Sequence, residues 1–218
     1  MEIWDLYDAS GCLLNRTHIR GDELPDDGYH KVVHVWIKNS ENKILISQRS
    51  AKRISNPLKF ECVGGSVIAG EDSLKAALRE TKEEVGIDLN KENGKIIYSK
   101  TRGIIDGQKF NDIMDVWLFE YDGEVLLSNA TTDEVESVCW LSINEVLKYF
   151  EDEKMVKSLD YFFDIKHLLF QNKNTQNNKK IIKKSEKNKK KTKKLSKTSK
   201  YFDFYDDVKA GCHKVFDW

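Results

Sequence analysis

Long apolar runs are absent from this 218-residue chain. No stretch approaches the ~20 consecutive apolar residues that a bilayer-spanning helix needs, which excludes a helical membrane protein. The amino end, Met1-Glu2-Ile3-Trp4-Asp5-Leu6, lacks the basic-then-apolar order of a secretory signal. Clustered cysteines are absent as well. Cys12, Cys62, Cys139 and Cys212 lie far apart and form no CxxC pair, which argues against a disulfide framework or a zinc site. Reduced thiols in a cytoplasmic protein with no membrane partner are the expectation. Net charge is zero in sum, with 36 Lys and Arg against 36 Asp and Glu. The sum hides an asymmetry. Residues 179–200 hold twelve Lys and one Glu, so the rest of the chain carries a net −11. An acidic globule carries a basic tail.

What is present reads as alternating strands and helices. Residues 2–7 and 12–19 are expected to be short strands around the turn-rich Asp8-Ala9-Ser10-Gly11. Residues 30–38 give the strongest strand signal, with Val32, Val33, Val35 and Ile37 β-branched, and residues 43–49 are their partner. A polar loop, 50–58, leads to a short strand, 60–63, that delivers Gly64-Gly65. Further on, 95–102 and 112–121 read as strands around a loop, 103–111, and 136–141 as another. Ser142 begins a helix with Glu145 at the capping-box position, and residues 152–170 read as its helical continuation. Strands mixed with flanking helices fit an α/β/α sandwich with a mixed sheet.

The chemistry concentrates in residues 65–87. A glycine-bearing loop runs into an amphipathic helix whose apolar row is Leu74, Ala77, Leu78, Thr81 and Val85. At about 100° per residue, Glu80, Glu83 and Glu84 fall within one third of the helix circumference. Three adjacent carboxylates repel one another. A hard divalent cation offsets that repulsion. Mg2+ or Mn2+ prefers oxygen ligands and keeps waters that a phosphate can replace.

The order Gly65, five residues, Glu71, seven residues, Arg79-Glu80, two residues, Glu83-Glu84, one residue, Gly86-Ile87 is similar to the signature of the Nudix hydrolase family. Thr81 stands where that family usually has an aliphatic residue and reads as a tolerated core substitution. The resemblance implies an α/β/α sandwich over residues 1–168 and a pyrophosphohydrolase that uses Mg2+ or Mn2+ on a small-molecule diphosphate, often a nucleoside derivative. On that reading Glu80 and Glu84 share a cation, and Glu83 binds a second ion or holds the attacking water. Arg79 organises the site by pairing with Glu71. The Gly65 carbonyl is a metal contact, Gly64 lets the backbone come close, and Glu71 and Gly86 are structural. Arg49, Arg53 and Lys59 are candidates for holding phosphate. Glu134 and Asp115 are candidates for a further acid. His30 and His34 read first as packed strand residues.

Residues 29–71 also resemble the branch of the family that includes isopentenyl-diphosphate isomerase. Aligned without gaps, Gly65 stands at the isomerase cysteine and Val67 at a metal histidine. Cys62 lies three residues too early, whereas His30 falls where another isomerase histidine would be. With two required groups missing and the hydrolase signature complete, a hydrolase is the expectation and the isomerase the alternative. A second alternative is a non-catalytic module that binds a nucleotide through the fold and RNA or an acidic partner through the lysine run. Three crowded carboxylates argue against it.

Residues 169–200 are expected to be a disordered Asn/Lys-rich linker, because they offer little apolar surface to offset ordering entropy. That linker reads either as a solvated tether near the acidic globule or as an arm contacting nucleic acid or other acidic surfaces. Residues 201–218 form a short aromatic segment suited to docking. The amino-terminal strands offer an edge that leaves a homodimer open. Substrate choice falls to loops 50–58 and 103–111, and Tyr98, Phe110 and Trp117 are candidates to stack a base.

Overall fold

A computed structural model describes residues 1–105 and 108–170; the expected linker and aromatic segment lie, from residue 171 onward, outside the described residues. In chain order the strands are β1 (Ile3–Tyr7), β2 (Leu13–Ile19), β3 (His30–Lys38), β4 (Ile44–Arg49), β5 (Phe60–Glu61) and β6 (Val63–Ser66). Helix α1 (Ser73–Val85) follows. Then come β7 (Gly94–Ile105), β8 (Gln108–Glu120), β9 (Val135–Leu141), α2 (Ile143–Glu151) and α3 (Phe162–Leu169).

Strand β3 is the axis, and its alternation builds two cores. Val33, Val35 and Ile37 face one cluster with Ala76, Ala77 and Val85 of α1, joined by Trp117 and Phe119 of β8. Trp36 faces the other with Met114, Val116 and Leu118 of β8, Val146 of α2, and Phe162, Ile165 and Leu169 of α3. A strand buried on both faces should carry little polarity, and β3 meets this with β-branched residues on one side. The sheet is mixed. β3 runs parallel to β8, with His30 beside Asp112 and Lys38 beside Glu120. It runs antiparallel to β6, with Val33 opposite Gly65. β4 pairs antiparallel with β5 and β9, and β7 with β8. With α1 on one face and α2 and α3 on the other, this is the α/β/α sandwich expected from the pattern.

Local chemistry sets the ends of α1. The Asp72 carboxylate accepts from the Lys75 amide at 2.8 Å, and Gly86 closes the helix at φ 72°. A Cβ at residue 86 would lie 2.7 Å from the Leu126 carbonyl oxygen, so both conformation and space call for glycine. Thr81 is fully buried and donates to the Ala77 carbonyl at 2.7 Å. Its hydroxyl is thus satisfied inside the packed face.

The structure departs from the sequence expectations in three places. The expected strand 60–63 divides into β5 and β6, and Gly64 and Gly65 lie within β6, paired with β3, rather than beyond the strand. The expected loop 103–111 is largely strand, because β7 and β8 form a long hairpin that continues past a register shift between Arg102 and Ile104. The expected helix 152–170 is broken. Glu153 takes φ 54°, and the next residues are captured by the sheet edge. The Phe60 amide donates to Lys154 at 2.9 Å, and the Val156 amide donates to Phe60 at 3.0 Å. α3 starts only at Phe162.

β1 and β2 form a separate two-stranded sheet that straps the loop before α1. The Ala69 amide donates to the Ile3 carbonyl at 2.8 Å, and the Gly70 amide to the Asp5 carboxylate at 2.7 Å. Trp4 stacks on His30 with ring centroids 4.0 Å apart. Among the described residues, no helix is long and apolar enough to cross a membrane.

Candidate active site

β6 and α1 meet at Gly65 and Glu80. The pairing of β6 with β3 holds Gly64 and Gly65 flat against the sheet, and one turn of α1 presents its carboxylates to them. Arg79 ties this junction together. Its Nε and one Nη grip the two oxygens of Glu71 at 3.1 and 3.0 Å, and the same Nη donates to the Ser66 carbonyl at 2.9 Å. The other Nη reaches Glu80 at 2.8 Å and Glu83 at 3.1 Å. Such a fork fits arginine and no other side chain. Glu71 in turn accepts from the Ile68 amide at 3.3 Å, which closes the loop.

The three helix carboxylates differ in environment. Glu84 is 7% exposed. Among the described residues its hydrogen bond is a long one, 3.4 Å from the Gly64 amide. Burial pushes its carboxyl well above the usual range, and the nearby carboxylates of Glu61, Glu80 and Glu134 push it further. The Glu80 side chain is 13% exposed; burial raises its pKa against the pull of Arg79. The Glu83 side chain, 36% exposed, is the open member.

Two acids join this group from other elements. Glu61 on β5 is pushed up by burial, with Arg49 opposing. Glu134, just before β9, pairs with Arg53. Asp115 lies elsewhere: the register places it two strands from Gly65, beyond Val33, and it accepts from the Ser99 hydroxyl at 2.7 Å.

The basic candidates also separate. Arg49 is held by Glu61 at 2.5 Å and by the Ser55 carbonyl at 3.1 Å. Arg53 opens onto a cleft of about 420 Å³ shared with Lys52, Glu134 and Arg20. Lys59 donates to the Glu153 carbonyl, beside a different cleft of about 590 Å³ that also includes Arg102, Phe110 and Phe150. None of Glu80, Glu83 and Glu84 lines either cleft, and Glu134 is the acid of their surroundings that lines the smaller one. Of the aromatic candidates, Tyr98 stacks on Tyr161 at 5.7 Å and Trp117 is buried in the core beside Phe119. Phe110 lies under the Arg102 guanidinium at 4.8 Å.

Glu61, Glu2 and Arg20 carry no local spacing signal in the sequence. Glu61 is placed by the pairing of β5 with β4, whereas Glu2 and Arg20, flanking β1 and β2, pair with each other at 2.5 Å and act on Glu80 through their charge. Cys62 is buried, and burial pushes its thiol well up.

A cation fits the chemistry of these donors. They are carboxylate and carbonyl oxygens, the kind Mg2+ and Mn2+ take, and they are crowded beyond what Arg79 neutralises. Among the described residues, no three His, Cys, Asp or Glu side chains converge closely enough to hold an ion as they stand. Glu80 and Glu83 are instead turned toward Arg79.

Comparison with known proteins agrees with this arrangement. The family model for the NUDIX domain matches residues 28–162. The chain is 36% identical over 141 residues to an uncharacterized Nudix hydrolase of Listeria innocua, covering 63% of this chain and 78% of that protein. It is 38% identical over 109 residues to one of Listeria monocytogenes, covering 49% of this chain and 64% of that protein. A crystal structure from Deinococcus radiodurans has the same fold, with a TM-score of 0.57 at 21% identity over 72% of this chain and 93% of that one. This chain belongs to the Nudix hydrolase family and is an enzyme of that class.

Proposed function

We propose that this enzyme hydrolyses a diphosphate linkage in a nucleoside diphosphate derivative or a related pyrophosphate, with Mg2+ or Mn2+ as cofactor. The observation that carries the reading is Glu84. It is a buried carboxylate with one long amide bond, set among Glu61, Glu80 and Glu134. Keeping such a group ionised without a cation is costly.

Glu80, Glu83, Glu84 and the Gly65 carbonyl would hold the metal. When bound it neutralises phosphate oxygens and makes a bound water more acidic. The chain's own residues do the rest. Glu83, the most open of the three, takes the proton of the attacking water at its carboxylate. Arg79 is a positioning residue: by gripping Glu71, Ser66, Glu80 and Glu83 it sets the helix acids against β6. Glu134 stands as a further acid, because it reaches the electrostatic surroundings of Glu84. Arg53 faces the cleft in which a substrate phosphate would lie.

Against the isomerase alternative stand Gly65, which brings no side chain to the cysteine position, and Cys62, which is buried. A panel of nucleoside diphosphate derivatives, with isopentenyl diphosphate included, tests the proposal. Phosphate or pyrophosphate release should require magnesium, stop with chelator and vanish in Glu84→Gln. Full activity in that variant would sink it.

A further inference from the structure

Three cations surround the 420 Å³ cleft, and each is held by a carboxylate. Arg20, just after β2, reaches Glu2 at 2.5 Å. Lys52 reaches Asp133 at 2.9 Å, and Arg53 pairs with Glu134. The bases of both arginines are fixed by backbone: the Arg20 amide donates to the Glu2 carbonyl at 2.9 Å, and the Arg53 amide to Ser50 at 3.1 Å. Their heads stay partly open to solvent, as ion pairs that exchange partners do. Arg20 also feels Glu134 and Glu80 in addition to its own partner Glu2, and the loop that leads into Asp133 and Glu134 is tied to α1, because the Thr131 and Thr132 amides donate to the Glu83 carbonyl at 3.0 and 3.2 Å. Arg49 differs, with its guanidinium taken by Glu61 and Ser55.

A diphosphate presents several anionic oxygens over a short span. Two guanidinium forks and an ammonium match it in charge and donor geometry. We propose that Arg20, Lys52 and Arg53 form a diphosphate-binding subsite in which Glu2, Asp133 and Glu134 hold the cations until the substrate takes their place. This rests on the hydrolase reading above and adds to it the groups that grip the substrate. Arg20 is the distinctive member, since it lies outside the matched family residues 28–162. The amino-terminal hairpin thereby has a role: it delivers a cation to the cleft. Arg53, on turning to phosphate, releases Glu134, whose charge acts on Glu84.

Calorimetry on the full chain with magnesium and methylenediphosphonate, whose P–C–P bridge cannot be hydrolysed, tests the subsite directly. Arg20→Gln and Arg53→Gln should each weaken binding by about tenfold, as loss of a charge-assisted hydrogen bond does, and the double variant by more. Glu2→Gln, which frees Arg20, should tighten it. Lys91→Gln, remote from the cleft, should leave it unchanged. Affinities within twofold of wild type in Arg20→Gln and Arg53→Gln, with native melting, would overturn the subsite. The two proposals fail separately. Magnesium-dependent hydrolysis with KM unchanged in both arginine variants leaves the hydrolase and removes the subsite. Analogue binding lost in those variants, with no substrate hydrolysed, leaves the subsite and removes the hydrolase.

Discussion

Gly65 and Glu80 share one space. A Cβ at residue 65 would lie 2.2 Å from the Glu80 carboxyl carbon and 2.2 Å from one of its oxygens. Glu80 cannot simply swing aside, because Arg79 holds it at 2.8 Å. Gly65→Ala should therefore displace the carboxylate and disturb the Arg79 network. A displacement of about 1 Å near reacting groups costs on the order of 10²-fold in rate, so kcat/KM for diphosphate hydrolysis should fall by about that much. Overpacking of this kind costs about 1–3 kcal/mol of stability, which urea unfolding would register beside the kinetics. Wild-type turnover in a folded Gly65→Ala protein would contradict this account.

The grip of Arg79 on Glu71 should behave as one unit. Arg79→Lys keeps the charge and loses the fork. Glu71→Gln keeps the shape and loses the charge. Each should destabilise by about 1–3 kcal/mol, with the double variant costing less than the sum by about 1 kcal/mol or more. Urea unfolding of the four proteins in the cycle reads this directly, and strict additivity would mean the contact does not couple loop to helix.

Features set by neighbouring residues are legible in the sequence; features set by distant pairing are not. Asp72, Gly86 and the spacing of Glu80, Glu83 and Glu84 act within one helix, so the helix and its acidic face can be read directly. β3 is readable because β-branched residues fill one face. The break after α2 is hidden, because Met155, Leu159 and Phe162 continue a helical apolar spacing and are all buried. What ends the helix is an offer of backbone partners from Phe60, nearly a hundred residues away. The extent of the β7–β8 hairpin is hidden by Gly103 and Asn111, which read as loop residues. Glu61 and Arg20 are ordinary charged residues until β4–β5 pairing brings one to Glu84 and the hairpin brings the other to the cleft.

Magnesium should act on stability as well as on rate. A ligand that binds only the folded state at 100 times its dissociation constant adds about 2.7 kcal/mol, so the melting temperature of the wild type should rise with magnesium and fall back with chelator. Glu84→Gln should lose this response. In chelator the same variant should melt higher than wild type, because it removes a buried charge from among three other carboxylates. Differential scanning calorimetry of both proteins, with and without magnesium, checks both signs. A wild-type response retained in full by Glu84→Gln would place the ion elsewhere.

Acid stability should report on His30. Its ring is buried against Trp4, and its Nδ1 has no protein partner among the described residues. Burial lowers its pKa from 6.5 to about 4, opposed by Asp112 and aided by His18 and Arg102. Between those two values the unfolded chain takes up a proton that the folded chain refuses, so this contribution is fully present above pH 6.5 and is lost as pH falls toward 4. At about 1.4 kcal/mol per pH unit, the loss attributable to His30 approaches about 3 kcal/mol. Glu84 acts with the opposite sign, since its raised pKa makes the folded state bind its proton first, and a single pH profile would blend the two. The difference between wild type and His30→Phe, measured in chelator by urea unfolding from pH 7.5 to 4.5, cancels the Glu84 contribution and keeps the stack on Trp4. That difference should move by about 2–3 kcal/mol in favour of the phenylalanine variant as pH falls. A flat difference would mean that the ring finds water or a partner when it charges.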